Sequence, residues 1–365
     1  MKRSGTLDLV RGLAAVLVML GHLRGVLLPT FQELVHKGIL ERLFYFITGF
    51  GHQCVIVFFA LSGYFVGAAY HRKFNEEPID DHTKEYVLNR MSRLWTVLIP
   101  ALLFTALMDW LGQTLYSGAS VYNVNNYFEF LPLSNDRSIA AFFGNLIFLQ
   151  TLVVPTFGTN GPLWSLANEF WYYLMFPALY LLFVKKVALA TKMSLALAAA
   201  IILYWIGHYN EEMVEGFLVW LMGFGVYTIA KKPGIILRMV YLLFFGILFG
   251  LSRVMVIPHS MLIVGLAANL LILSIRDLKL KRFDRIADFL ARISYTLYLV
   301  HLPLIIFVYT TLLRNIRFDG NLVGMLFVVI AALTLIAFSY VMYWLFERRT
   351  DNVRAFVSRY LFKRS

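Results

Sequence analysis

Leu7-Asp8-Leu9-Val10-Arg11-Gly12-Leu13-Ala14-Ala15-Val16-Leu17-Val18-Met19-Leu20-Gly21-His22-Leu23-Arg24-Gly25-Val26-Leu27-Leu28 is long and apolar enough to cross a bilayer as one helix, yet Arg11 and His22 stand inside it. A helix turns about 100° and rises about 1.5 Å per residue, so the step from Arg11 to His22 closes three turns with about 20° to spare. The two side chains therefore share one stripe, about 16 Å apart in depth. Asp8 lies three residues before Arg11 and can pair with it. An arginine inside a membrane segment costs about 2.5–3.5 kcal/mol even on lenient insertion scales, so such residues usually face protein or a wet cavity. A functional stripe is the first reading. The bland one, in which Arg11 snorkels to the headgroups and His22 is a satisfied interior histidine, accounts for each residue singly but not for their shared face.

The rest of the chain agrees with a membrane protein. Its 365 residues are 60% hydrophobic and 15% charged, with a mean hydropathy of +0.71, which leaves too little polar surface for a soluble globule. No apolar run alternates as a barrel strand would, so the expected fold is all-α and polytopic. The formal charge of +12 would suggest nucleic acid in a soluble protein. Here most of the excess lies in short loops beside apolar runs, where it sets topology, and no nucleic-acid partner is expected. The single Cys54 excludes an intrachain disulfide and a CxxC site. Lys2 and Arg3 precede the first run without a clear cleavage site, which reads as a retained signal anchor.

Spanning helices are expected near 7–28, 52–70, 94–113, 162–184, 193–208, 214–230, 235–252, 259–275, 293–313 and 322–346, about ten in all. Ala140 to Val153 is shorter and reads as a re-entrant or interfacial segment. With that segment not crossing and both termini cytoplasmic, 25 of the 33 Lys and Arg residues fall in cytoplasmic segments and 7 in outer ones. That asymmetry follows the positive-inside rule, and letting 140–153 cross would invert every later loop. Residues 1–346 then form one membrane domain, and 347–365 a basic cytoplasmic tail.

Other polar residues acquire a depth from this topology. Phe58-Phe59-Ala60-Leu61-Ser62-Gly63 offers small residues for the close approach of a helix or a thin ligand. Arg90-Met91-Ser92-Arg93 ends the cytoplasmic stretch that starts at His71, and two arginines at i,i+3 either bind phosphate oxygens or serve topology alone. Trp164-Ser165-Leu166-Ala167-Asn168-Glu169 opens the fourth crossing from outside and places Glu169 about one and a half turns inside, a functional candidate. Ser294-Tyr295-Thr296-Leu297-Tyr298-Leu299-Val300-His301-Leu302-Pro303 sets His301 beside a proline, where it is either a site residue or a satisfied packing residue.

These elements together resemble the membrane-bound acyltransferase-3 family: Arg11 and His22 with ten residues between them, Phe-Phe-x-x-Ser-Gly, Arg-x-x-Arg, Trp-Ser-Leu-x-x-Glu followed by an aromatic helix with Phe176-Pro177, and Ser-Tyr-x-x-Tyr-Leu-x-His. The resemblance implies a multi-pass enzyme of the bacterial cytoplasmic membrane that moves an acyl group, commonly acetyl, from cytoplasmic acyl-CoA to a sugar hydroxyl of an outer or lipid-linked carbohydrate of the cell envelope. Phe170 stands where many relatives have a second acid. No hydrolase-like domain follows residue 346, so a later transfer step would need envelope-polysaccharide assembly partners. On this reading Arg90 and Arg93, helped by Arg72, hold the donor phosphates, and Ser62 and Gly63 line the donor path. The pantetheine arm rises along the stripe from Arg11, and His22 is either the base or an acyl-carrying nucleophile. Glu169 orients His22 or the acceptor. Acyl-CoA is a substrate rather than a resident cofactor, and no His/Asp/Glu cluster has metal-ligand spacing. A transporter or flippase would also keep ionisable residues in its helices, but no internal duplication supports it.

The topology has a direct check. In intact cells an impermeant thiol reagent should label a cysteine introduced at Asn125 and not one at Lys281; the reverse pattern would overturn both the map and the direction of transfer.

Overall fold

Inside a bilayer every backbone N–H and C=O must pair within its own segment or a closed barrel, so apolar runs of this length are driven into helices. In the computed structural model, which describes residues 5–74, 79–116, 120–128, 131, 133–184, 187–255, 258–279 and 281–362, 79% of the chain is helical, with no strand among the described residues. The helices are α1 (Gly5–Leu27), α2 (Ile39–Thr48), α3 (Gly51–Ser62), α4 (Ala68–Phe74), α5 (Ile79–Leu115), α6 (Ile139–Leu146), α7 (Leu163–Leu182), α8 (Leu189–Tyr209), α9 (Glu211–Thr228), α10 (Ile235–Val254), α11 (Ser260–Ile275), α12 (Asp284–Thr311), α13 (Leu322–Leu345) and α14 (Thr350–Phe362). A π-helical turn, Gly63–Gly67, joins α3 to α4.

A helix stands at each of the ten expected crossings, and seven helical runs are long and apolar enough to cross a membrane. The other three sites hold α7, made less apolar by Asn168 and Glu169, α9, with Glu211, Glu212 and Glu215 in its first turns, and the sixteen-residue α11. Much of the stretch between His71 and Arg93, outside the expected crossings, is helical. Helix continues to Phe74 and restarts at Ile79, so Arg90 and Arg93 lie one turn apart on α5.

Contacts divide the chain into two compact units, Met1–Val55, Trp95–Trp164 and Leu278–Thr350 in one, and Ile56–Leu94, Ser165–Asp277 and Asp351–Ser365 in the other. In the first, α1 packs along α12 in parallel: Gly5 faces Asp284, Gly12 faces Leu290 and His22 faces His301, both numbers climbing together. A Cβ on Gly12 would collide with Leu290, so the helices meet at backbone distance. Hydrogen bonds tie Thr6 to the Leu278 carbonyl at one end of this pair, and Phe318 to the Leu27 carbonyl at the other. Tyr122 joins Thr310 at that second end, while Thr296 near the first bonds Glu347. The segments expected to share a membrane side in this unit do share an end.

The Ala140–Val153 stretch does not make a crossing helix. Helix α6 stops at Leu146, and Phe148 and Thr151 take positive φ angles of 60° and 68° as the chain turns back. Asn145 fixes the return, donating to the Pro155 carbonyl and accepting from the Phe157 amide.

In the second unit α9 packs against the π turn, with α8 and α11 on its other faces. A Cβ on Gly63 would overlap the Trp220 carbonyl, and one on Gly223 the Ala60 carbonyl, so these glycines are what let the chains touch. Helix α10 buries none of its residues, and Ile235, Ile236, Met239 and Leu243 all stand more than 60% exposed. Such a helix is stable with lipid as its solvent.

Candidate active site

In the first unit the α1 stripe carries the expected ion pair, with Arg11 donating to Asp8 at 2.8 Å. Further along, His22 Nδ1 lies 2.7 Å from His301 Nε2. The rings are parallel within 6° and their centroids 5.0 Å apart, so they meet edge to edge. His301 is fully buried, and its Nδ1 lies 2.9 Å from the Leu297 carbonyl one turn back on α12. His22 keeps part of its surface accessible. His301, open to a site or a packing reading, thus contacts the other histidine of the apolar helices.

Helix α12 continues through Pro303, two residues beyond His301. Proline has no N–H, so the carbonyl four residues back, that of Leu299, loses its helical donor. Asn160 replaces it, donating to the Leu299 carbonyl at 2.9 Å and to Thr105 Oγ1 at 3.0 Å. Asn160 is itself anchored next door, where the buried Asp109 carboxylate accepts from the Thr159 amide at 2.9 Å and from its hydroxyl at 2.6 Å. Gly158 turns there with φ at 56°, and a Cβ would strike that carboxylate. Asp109 was missed in the sequence reading, although an acid in an apolar helix was the signal that singled out Glu169.

The second unit gathers a different set. Ser62 Oγ donates to Glu169 Oε1 at 2.8 Å, the Tyr173 hydroxyl donates to the same oxygen, and Trp220 Nε1 donates to Ser62 Oγ at 3.2 Å. Tyr173 follows Glu169 by one helical turn on α7, and the Arg90 guanidinium sits 5.8 Å from its ring centroid. Arg93, one turn on along α5, and Arg72 on α4 are half-buried. The structure thus joins Ser62, expected on the donor path, to Glu169, expected to orient His22 or the acceptor, with Arg90 beside them. Gly63 is used for packing against α9. Tyr173 was legible as the i+4 partner of Glu169; Trp220 carried no signal, because its partner is remote in sequence.

A third grouping joins Glu211 and Glu215, one turn apart on α9, to the remote His259. Glu211, Glu215 and His259 bring one ligand atom each within 4.8 Å of one another, a geometry that could hold a cation. His259 already bonds Glu215, and that carboxylate raises the imidazole's pKa above its ordinary value.

The sequence profile of the acyltransferase-3 family, described as an acyltransferase domain, matches residues 5–344. The chain belongs to that family, and membership supports acyltransferase activity in a multi-pass membrane protein. No curated protein and no solved structure matches the chain.

The support of α12 gives a two-step prediction. Asn160→Ala should strand the Leu299 carbonyl and destabilise the protein by about 1–3 kcal/mol. Pro303→Ala supplies an amide to that carbonyl, so the double variant should recover much of the loss in thermal melts in detergent. Equal melting of Asn160→Ala and its parent would remove this bond from the account.

Proposed function

We propose that this protein transfers an acyl group, acetyl in the simplest case, from cytoplasmic acyl-CoA to a hydroxyl of a carbohydrate or glycolipid on the outer side of a bacterial cytoplasmic membrane. Family membership supports acyl transfer; donor, acceptor and roles are inferred from side-chain chemistry. The observation that carries the reading is His22, an imidazole inside an apolar helix, held at its Nδ1 by His301 and still partly accessible.

His22 takes the proton of the acceptor hydroxyl as its oxygen attacks the thioester carbonyl. The C–S bond then breaks, the new ester leaves, and the CoA thiolate recovers the proton from the imidazolium. Arg90 and Arg93, a turn apart on α5, grip donor phosphates, where their planar forks match phosphate oxygens. Arg72 adds positive charge there. Glu169 orients hydroxyl-bearing substrate, since its carboxylate already accepts from two hydroxyls, those of Ser62 and Tyr173. Arg11, held by Asp8, positions the stripe rather than the reacting oxygen. Envelope-polysaccharide assembly proteins are the natural partners of such an acceptor.

Two measurements test this. Arg90→Ala and Arg93→Ala should each weaken acetyl-CoA binding to the purified protein by about 10- to 100-fold, as for loss of a charge-assisted hydrogen bond, and the lysine variants should fall between. Parental affinity in both alanine variants would move the donor site elsewhere. In membranes supplied with radiolabelled acetyl-CoA, His22→Gln should lower transfer into lipid and polymer fractions by about 10² to 10⁴ per folded molecule while donor binding persists. Parental transfer in that variant would end histidine base catalysis and leave Glu169 as the next candidate.

A further inference from the structure

Resting on the reading of His22 as base, we propose that His301 is a positioning residue that holds His22 in its Nδ1–H form, so that Nε2 is the atom that takes the acceptor's proton. The assignment follows from a chain of donors and acceptors. The Leu297 carbonyl can only accept, and it lies 2.9 Å from His301 Nδ1, so that nitrogen carries a hydrogen. A neutral imidazole has one N–H, and therefore His301 Nε2 presents a lone pair. That lone pair faces His22 Nδ1 at 2.7 Å, so His22 donates there and its Nε2 is left bare.

The alternatives fail on the same geometry. The opposite tautomer of His301 would set a nitrogen lone pair against the carbonyl lone pairs of Leu297. A protonated His301 would place a charge on a side chain with no exposed surface, among an imidazole and backbone carbonyls that carry no countercharge. The Nε2–H form of His22 would put a hydrogen where the acceptor hydroxyl must deliver one.

The arrangement also favours the transition state over the ground state. When His22 Nε2 takes the proton the ring becomes cationic, and its Nδ1–H bond to His301 becomes charge-assisted and stronger. His301 gains and loses no proton in this scheme. The near-parallel rings, within 6°, suit an in-plane bond between the two facing nitrogens.

The test separates this role from packing and from the base reading. Histidine labelled with ¹⁵N, in full-length protein reconstituted in liposomes, reports which ring nitrogen carries hydrogen, and the His22 signal is identified by its loss in His22→Gln. The parent should show His22 as Nδ1–H. In His301→Phe, which keeps a ring but offers no acceptor, His22 should show mixed tautomers. Its turnover with acetyl-CoA should fall by between about 10 and 10³, with acetyl-CoA affinity unchanged. His301→Gln restores an acceptor oxygen and should recover part of that loss, which a cavity or a clash would not explain. A parent His22 bearing its hydrogen on Nε2 would overturn the proposal without reference to folding of any variant, as would parental turnover in a folded His301→Phe. Parental turnover in His22→Gln would instead overturn the base reading, leaving the tautomer assignment standing as structure alone.

Discussion

A 2.7 Å bond between two side chains on separate helices survives only if those helices cannot slide, and here α1 and α12 cannot. They run parallel, and Gly12 lets them approach so closely that Leu290 occupies the space a side chain would need. A slip of one helical turn would move the rings about 5.4 Å past each other and abolish the contact. The buried network around α12 serves the same end. Pro303 would leave an open carbonyl at the depth of the dyad, and Asn160, anchored beside the Asp109–Thr159 pair, closes it.

The second unit solves a similar problem with one residue. Trp220 sets its backbone carbonyl against Gly63 and sends its indole N–H to Ser62, so the packing of α9 and the placement of the Ser62 hydroxyl are a single arrangement. Ser62 is also the last residue before the π turn, a widened segment of the kind found at functional sites. A larger residue at Gly63 would therefore disturb the Glu169 cluster without touching Glu169.

Local chemistry was legible in the sequence and remote pairing was not. The Arg11–Asp8 pair, the helix at each expected crossing and the turned-back Ala140–Val153 stretch all follow from spacing, charge or length within a few turns of chain. The bond from His22 to His301 joins residues 279 apart, and only the register of α1 on α12 creates it. The same holds for Trp220 on Ser62 and for Glu215 beside His259. The helix that carries Arg90 starts well before the crossing expected near 94–113, because its polar first turns look like solvated chain.

Why a second histidine should stand where many enzymes use a carboxylate has an answer in the solvent. A buried carboxylate beside the base would need to stay ionised within apolar helices, and an uncompensated charge there is expensive. A neutral imidazole ending on a backbone carbonyl would orient the proposed base just as directionally and bury no charge in the resting protein. The weaker stabilisation of the imidazolium is tolerable in the proposed reaction, because a thioester releases a thiolate, a far better leaving group than an alkoxide, and asks less of its base. The dyad of His22 and His301 thus suits a reaction in which the membrane limits charge and the donor supplies reactivity.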